Sequence, residues 1–184
     1  MIKNKRLLIL AIIALFLCAV IVSVAYMFKN TNLFVNTLEH SVVQCAVVEN
    51  FDQGTGVKSS VMLRNTGNID EFLRVRLISY WVDAEGNVLG KPSVMPAVNY
   101  DEANWIKADD DTYYYKYSVT PNELSAELLI SPVQLATDVY SSGDGTQTVY
   151  QVLEVIPEAI QSKPAGAAHD MWGVTVNGNS ITGV

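Results

Sequence analysis

Strict alternation of apolar and other side chains is the feature that most limits how this chain can fold. The alternation is clearest over residues 71–82, where the odd-numbered residues from 73 to 81 would lie on one face of a strand. That face holds Leu73, Val75, Leu77, Ser79 and Trp81. Successive side chains of a β-strand point to opposite faces of its sheet. The segment is therefore predicted to be a strand with one face in the protein core.

The same period of two recurs along the chain, in residues 41–48, 57–64, 112–119 and 146–156. Turn-forming segments, such as 52–56 and 83–87, separate these runs. Because residues 41–48 are largely apolar on both faces, we expect them to form a central strand. Residues 91–102 are predicted to be a long loop, residues 157–161 a helical turn, residues 163–168 a loop and residues 171–176 a closing strand. Seven to nine strands predict an all-β protein, either a β-sandwich or a jelly roll.

Charged residues in this pattern have an ordinary structural interpretation. Arg74 and Arg76 lie two apart on one strand face, and we expect them to pair with acids of a neighbouring strand. Asp109, Asp110 and Asp111 precede a tyrosine-rich strand and are typical of a solvated turn. The alternative is a calcium site, which would need several convergent oxygen ligands. The metal assignment stays unknown at this point.

Catalytic motifs are missing from the sequence. The two histidines, His40 and His169, are far apart, and no H-E-x-x-H zinc motif occurs. There is no G-x-S-x-G nucleophile motif and no glycine loop for phosphate. We therefore predict a protein that is not an enzyme, with no catalytic residue and no cofactor.

The start of the chain is typical of an export signal. Lys3, Lys5 and Arg6 precede sixteen uncharged residues, 7–22, and Ser23 and Ala25 meet the small-x-small rule for cleavage before Tyr26. The alternative is a retained anchor, because residues 7–28 would form a helix of about 33 Å, enough to cross a bilayer. The predicted organisation is an apolar signal helix in 1–25, followed by an exported domain.

Charge and cysteine content narrow the possible partners. Without residues 1–25 the chain keeps 9 basic and 19 acidic residues, a net charge of 9 − 19 = −10. Such a surface repels nucleic acid and anionic lipid. Contact with a membrane is expected only through residues 7–28, if they are retained.

After removal of residues 1–25, Cys45 would be the single cysteine, which excludes a disulfide within the chain. Its alternation with Val43 and Val47 predicts a buried, inert thiol.

Several segments together resemble a known family. They are the export signal with residues 26–34, residues 63–77, the hairpin 81–87, the tyrosine strand 111–117, and Glu158-Ala159-Ile160-Gln161 with Trp172-Gly173. The chain resembles the TasA/camelysin-like proteins, SipW-dependent exported biofilm-matrix proteins of Gram-positive bacteria, over nearly its whole length. The most specific element comprises Asn65, Thr66, Gly67, Asn68, Asp70, Arg74 and Arg76.

The resemblance implies a function as well as a fold. It implies a jelly-roll-like antiparallel β-sandwich in residues 38–184, a signal peptide in 1–25 that signal peptidase removes, and a secreted protein of the extracellular matrix or cell surface. Residues 26–37 would be a donor strand that completes a neighbouring copy, so the partners would be the protein itself and other matrix proteins. The anchors of that strand would be Tyr26, Phe28, Leu33 and Val35. The protease activity ascribed to camelysins is not carried over, since no zinc motif is present.

A second interpretation of the residues stays open beside this one. If residues 7–28 are retained, the protein would be a membrane-tethered ectodomain for binding or adhesion at the cell surface. Its binding surface would be the tyrosine strand or the loop 109–111.

Overall fold

A computed structural model of the chain describes residues 17–21, 23, 40–142 and 145–184. The chain divides into two compact units, Met1–His40 and Ser41–Val184. In the first unit, residues 17–21 and 23 are helical, and the Ser23 hydroxyl donates a hydrogen bond to the Ala19 carbonyl, with 2.8 Å between the oxygens. Within the described ranges, no helix has the length and apolar content needed to cross a membrane.

The second unit is built from antiparallel strands, which confirms the predicted all-β class. The strands are β1 (Cys45–Asp52), β2 (Val57–Asn65), β3 (Glu71–Val82), β4 (Val88–Leu89), β5 (Trp105–Lys107), β6 (Thr112–Tyr115), β7 (Val133–Gln134), β8 (Thr137–Ser142), β9 (Gly145–Gln161), β10 (Thr175–Asn177) and β11 (Ser180–Gly183). One short helix, Gly166–Trp172, lies between β9 and β10.

The strands form a three-stranded sheet, a six-stranded sheet and a small hairpin. The three-stranded sheet has the order β1-β2-β7, and the larger sheet has the order β5-β6-β3-β9-β8, with β4 beside β3. β3 and β9 pair from Glu71 opposite Gln161 to Val82 opposite Tyr150. Strands β10 and β11 form the hairpin. The long β3–β9 ladder is therefore the centre of the larger sheet.

The main core lies between the two larger sheets. It contains Val61 and Leu63 from β2, and Leu73, Val75, Leu77, Trp105, Tyr113 and Leu153 from the larger sheet. All of these side chains are almost completely buried. The inward face predicted for residues 71–82 thus supplies this core through Leu73, Val75 and Leu77.

A second, smaller core covers the outer face of the larger sheet. Phe72 and Tyr114 pack there with residues of the short helix and the β10–β11 hairpin, namely Ala168, Val174 and Ile181. The Arg74 guanidinium lies 4.7 Å from the Trp172 ring centre and 5.6 Å from that of Tyr114. It also pairs with Glu158, 2.5 Å away on β9. Arg76 pairs with Asp110 at 2.9 Å. The expected pairing with an acid of a neighbouring strand is confirmed for Arg74, whereas the partner of Arg76 lies in the turn before β6.

The predicted helical turn at residues 157–161 is wrong. These residues continue β9, and each pairs with a residue of β3 between Glu71 and Val75. The ladder decides their conformation, because pairing along β3 outweighs the helix-forming tendency of the Glu158-Ala159-Ile160-Gln161 run. Strand β8 was not expected at all.

Two further predictions are also corrected. Residues 166–172 form a helix in place of the predicted loop and strand, favoured by two adjacent alanines and ended by Gly173 with φ of 72°. Strand β1 begins only at Cys45. It lies at the edge of its sheet among the described strands and is not central. A strand that is apolar on both faces need not have a strand on each side. Its faces are covered by side-chain packing, whereas its edges are paired by backbone hydrogen bonds.

Candidate functional site

Strand β1 has one paired and one open edge. In an antiparallel pair, the backbone groups of alternate residues point to opposite sides. The carbonyl of Gln44 accepts hydrogen bonds from the amides of Thr66 and Gly67, so the even-numbered residues of this run face β2. The backbone groups of Cys45, Val47 and Glu49 therefore point away from β2, toward an edge where no described strand pairs.

Strand β9 has an open edge along its second half. The Ser162 amide bonds to Asp70 and so points toward β3, whereas the Gln151 amide bonds to Ala136 on the opposite side. Pairing with β8 ends at Tyr150. The backbone groups of Leu153, Val155 and Ala159 therefore face a side on which the described residues provide no backbone partner. Pro157 belongs to the same alternate set, so its missing N–H lies at this open edge, where proline is tolerated.

The two open edges lie on the same side of the core. A groove of about 290 Å³ lies between them. Its lining includes Val47, Glu49 and Phe51 of β1, Lys58 of β2, Tyr80 of β3, Leu135, and Val152, Leu153, Glu154 and Val155 of β9. Cys45, Val47, Val155 and Ala159 pack against the main core but are only partly buried. The core is thus incompletely covered along this side.

One end of the groove is polar. The Lys58 ammonium lies 2.6 Å from a carboxylate oxygen of Glu49 and 5.9 Å from the centre of the Phe51 ring. The Lys58 side chain is 5% exposed and that of Glu49 is 36% exposed. Lys58 faces inward because a bulge between Asn50 and Phe51 shifts the β1–β2 register. A nearly buried cation therefore stands in an opening whose other lining residues are mostly apolar, apart from Glu49, Tyr80 and Glu154.

A clamp of backbone hydrogen bonds holds residues 42–44, directly before β1. The Val42 amide bonds to the Asn68 side chain, and the Asn68 amide bonds to the Val42 carbonyl. The Gln44 amide bonds to Glu71 at 2.9 Å. Gly67 approaches so closely that a Cβ on it would lie 2.2 Å from the Val42 carbonyl oxygen. Residues 66–71 thus fix residues 42–44 at the start of the β-domain.

Asn65 keeps this clamp in shape. It is completely buried, and its amide nitrogen donates to the carbonyls of Ile69 and Val119. Its side-chain oxygen accepts the Gly67 amide at 2.8 Å. The side-chain nitrogen and oxygen of this buried asparagine both form hydrogen bonds to backbone groups. Asn65 is therefore a structural residue, since each bond fixes a segment of backbone.

Two titratable groups at this site have perturbed pKa values. Burial raises the pKa of Glu71, against the opposing effect of the hydrogen bond from the Gln44 amide. One oxygen of Glu71 has no hydrogen-bond partner among the described residues. Burial also raises the pKa of the Cys45 thiol to about 11, with smaller contributions from the negative charges of Glu71 and Glu158. Cys45 is therefore protonated at neutral pH. Its side chain is only partly buried, so the burial expected from the sequence is confirmed in part, and its low reactivity stays a prediction.

Two of the three predicted metal candidates, Asp110 and Asp111, are paired with cations. Asp110 pairs with Arg76, and Asp111 pairs with Lys107 at 2.9 Å. The part of the chain that the structure describes contains no group of three or more side chains suited to holding a metal ion. His169 lies in the short helix and pairs with Asp170 at 3.1 Å.

The N-terminal predictions fall mostly outside the described residues. Ser23 of the predicted cleavage site is helical, whereas Ala25 and Tyr26 are not described. The same holds for the predicted assembly anchors Tyr26, Phe28, Leu33 and Val35. Their roles stay predictions.

Sequence reasoning missed the Glu49–Lys58 pair, the buried Glu71 and the open edge of β9. A usable signal for the edge was Pro157, because a proline inside a ladder requires its nitrogen to face away from the partner strand. The signal for an inward-facing Lys58 was its place in the sequence, since this charged residue comes shortly before the buried residues of β2.

Comparison with known proteins found no matching family model, no similar curated protein and no similar solved structure.

Proposed function

We propose that this protein is a secreted structural subunit of extracellular biofilm-matrix fibres, and that its subunits assemble by strand addition. In this proposal the β-domain is a jelly-roll-like sandwich with room for one more strand. Residues 26–37 of a neighbouring copy supply that strand. The observation that carries the proposal is the pair of open edges, on β1 and on the second half of β9, with a partly covered core between them.

The physical reason is the free energy available at such a site. Unpaired backbone amides and carbonyls of an edge strand accept another strand readily. An added strand gains main-chain hydrogen bonds and buries apolar side chains in the same step. Here it would cover Val47, Val155 and Ala159, which pack against the core and remain partly exposed.

The geometry of donation favours a filament. The donor segment and the acceptor groove are different surfaces of one chain, so the contact between copies is heterologous. Such a contact grows into an open filament unless its rotation closes a ring. The export signal and the resemblance to TasA/camelysin-like proteins support the same assignment from the sequence.

Deletion of the donor segment tests this proposal. Removing residues 26–36 is expected to leave a monomer that forms no fibres under the electron microscope. A control that replaces residues 26–36 by a glycine-serine segment of equal length preserves chain length and removes the anchors, and it is expected to behave like the deletion. Fibres of either variant that match those of the unaltered protein would refute strand donation.

Sequencing the N terminus of the protein found outside the cell tests the export step. A start at Tyr26 is expected. An intact Met1 in the membrane fraction would instead support the membrane-tethered ectodomain.

A further inference from the structure

The groove between the open edges has two chemically different halves. Around Val47, Leu153 and Val155 its lining is apolar, and Cys45 and Ala159, which pack against the same core, continue the apolar surface along the two edges. Toward the other end of β1 it contains the Glu49–Lys58 ion pair. In the described residues, Glu49 is the single hydrogen-bond partner of the Lys58 ammonium, which carries three donors. Along β1 the groove therefore presents spare hydrogen-bonding capacity at one end only. Its other charged or hydroxyl-bearing lining residues, Tyr80 and Glu154, belong to β3 and β9.

This asymmetry limits which strand the groove accepts. Covering the ion pair with an apolar side chain would remove water from two charges without returning a hydrogen bond, which is unfavourable. Inward-pointing charges are also a known means by which natural sheets prevent unspecific pairing at their edges. An occupant must consequently place a polar side chain beside the ion pair and apolar side chains along the remainder.

We propose that the Glu49–Lys58 pair selects the register and direction of the strand that a second copy donates. The donated segment runs antiparallel to β1, with Thr31 opposite Glu49, Leu33 opposite Val47 and Val35 opposite Cys45. This inference rests on the strand addition proposed above and goes further by assigning a specificity-determining pair.

The sequence of the donor segment supports one register above the others. Cys45, Val47 and Glu49 have backbone groups on the open edge and side chains on the inward face. An antiparallel donor strand meets Glu49 first, then Val47, then Cys45. Three alternate donor residues, read from the N terminus, must therefore be polar, apolar and apolar. Among all alternate triplets of residues 26–37, Thr31-x-Leu33-x-Val35 alone reads in this order. The triplets Tyr26-x-Phe28-x-Asn30 and Leu33-x-Val35-x-Thr37 have the reverse order and would require the parallel direction, in which pairing is slightly weaker.

Disulfide trapping in the full chain tests the register, because Cys45 is itself one of the predicted partners. One protein carries Val35→Cys with Cys18→Ser and Cys45→Ser, and the other carries Cys18→Ser and keeps Cys45. A disulfide between them can form only between copies. Oxidation is expected to link the two proteins. Controls with Phe34→Cys or Asn36→Cys, whose side chains would point to the opposite face, are expected to stay unlinked.

The trapping experiment has two outcomes that would overturn the inference. One is equal linkage by the three cysteine positions, which would mean that no register is selected. The other is a link within one chain, formed when Val35→Cys and Cys45 are present together, with none between copies. Both leave the deletion test of strand donation unaffected, so the two proposals fail separately.

A compensation experiment tests the role of the ion pair. Thr31→Val, which removes the hydroxyl and keeps the shape, is expected to raise the critical concentration for assembly about tenfold, as for one buried polar group left unpaired. Thr31→Ser should assemble normally. Combining Thr31→Val with Glu49→Leu and Lys58→Met should restore assembly. Normal assembly by Thr31→Val alone would show that the pair selects nothing, even if deletion of residues 26–36 abolishes fibres.

Discussion

The two long sides of the main core differ in how far the chain covers them. On one side, residues 122–130 run as an irregular segment along the edge of β2, beyond the two residues that pair with β7. Their backbone still bonds to the strand, from Asn65 to Glu123 at 3.0 Å and from Ser125 to Leu63 at 2.7 Å. Leu128 on this segment is completely buried. This closed side shows that the chain can protect a strand edge without forming a regular strand.

The open side has the opposite character. Regular strands, β1 and the second half of β9, end the sheets there, and within the described ranges their outer backbone groups have no strand partner. The side chains of Val47, Val155 and Ala159 beneath them stay partly exposed. Apolar residues are present on both sides, so composition does not explain the difference. The two sides differ in whether another segment of the chain, among the described residues, covers these apolar side chains. We infer that the closed side provides the stability of the β-domain and that the open side is reserved for assembly.

The largest expected effect is on the closed side. Leu128→Ala should lower the free energy of unfolding by about 3 kcal/mol, because it removes a completely buried side chain and leaves a cavity. Val155→Ala on the open side should lower it by less than about 1 kcal/mol under conditions that prevent assembly, since partial exposure reduces both contributions. Chemical denaturation of the two variants measures the contrast. Equal losses would contradict the division of roles between the sides.

The sequence predicted the centre of the fold well. Residues 71–82 and the hairpin turn at 83–87 agree with β3 and the start of β4, because strict alternation and turn residues are local signals. The end of β9 was missed for a long-range reason. Residues 157–161 have a helical composition and a proline, and only the ladder with β3 makes them extended.

The candidate site was less predictable than the fold. An edge is defined by which strands pair, and periodicity carries no information on strand order. The inward position of Lys58 depends on a bulge, which also arises from pairing. Asn65, Gly67 and Asn68 belong to the element that the resemblance singled out, but the clamp on residues 42–44 follows from contacts between segments far apart in sequence.

The next largest effect is expected where the clamp meets the open side. In Gly67→Ala the new Cβ would lie 2.2 Å from the Val42 carbonyl oxygen and 2.3 Å from Glu71 Oε1, so the clamp must shift. We expect a loss of about 2 kcal/mol in unfolding free energy, as for other overpacked sites. Gly90→Ala is the matched control, because nothing lies within 4 Å of its new Cβ. A Gly67→Ala protein as stable as the control would show that residues 42–44 are held loosely.

A smaller, pH-dependent effect is expected from Glu71. Because burial raises its pKa in the folded protein, the folded state holds this proton more tightly than the unfolded state. The resulting stability is complete below the unfolded pKa of glutamate and is lost as pH rises through the folded pKa. Glu71→Gln retains an acceptor for the Gln44 amide and cannot titrate. The unfolding free energy of the unaltered protein minus that of Glu71→Gln, measured across this window, should therefore fall as pH rises. A difference that stays constant would mean that the buried carboxyl does not titrate there.

The smallest effect concerns reactivity and leaves stability unchanged. Burial raises the pKa of Cys45 to about 11, so alkylation in the folded protein should be on the order of 100-fold slower than in the unfolded chain near neutral pH. Cys45 also belongs to the open edge, and a strand added there would cover it further. Alkylation should accordingly be slower in assembled than in unassembled protein, whereas a cysteine placed at exposed Val94 should react equally in both. Equal rates for Cys45 in the two states would mean that assembly leaves this edge open, and the contrast between the two sides would then have to be explained without strand addition.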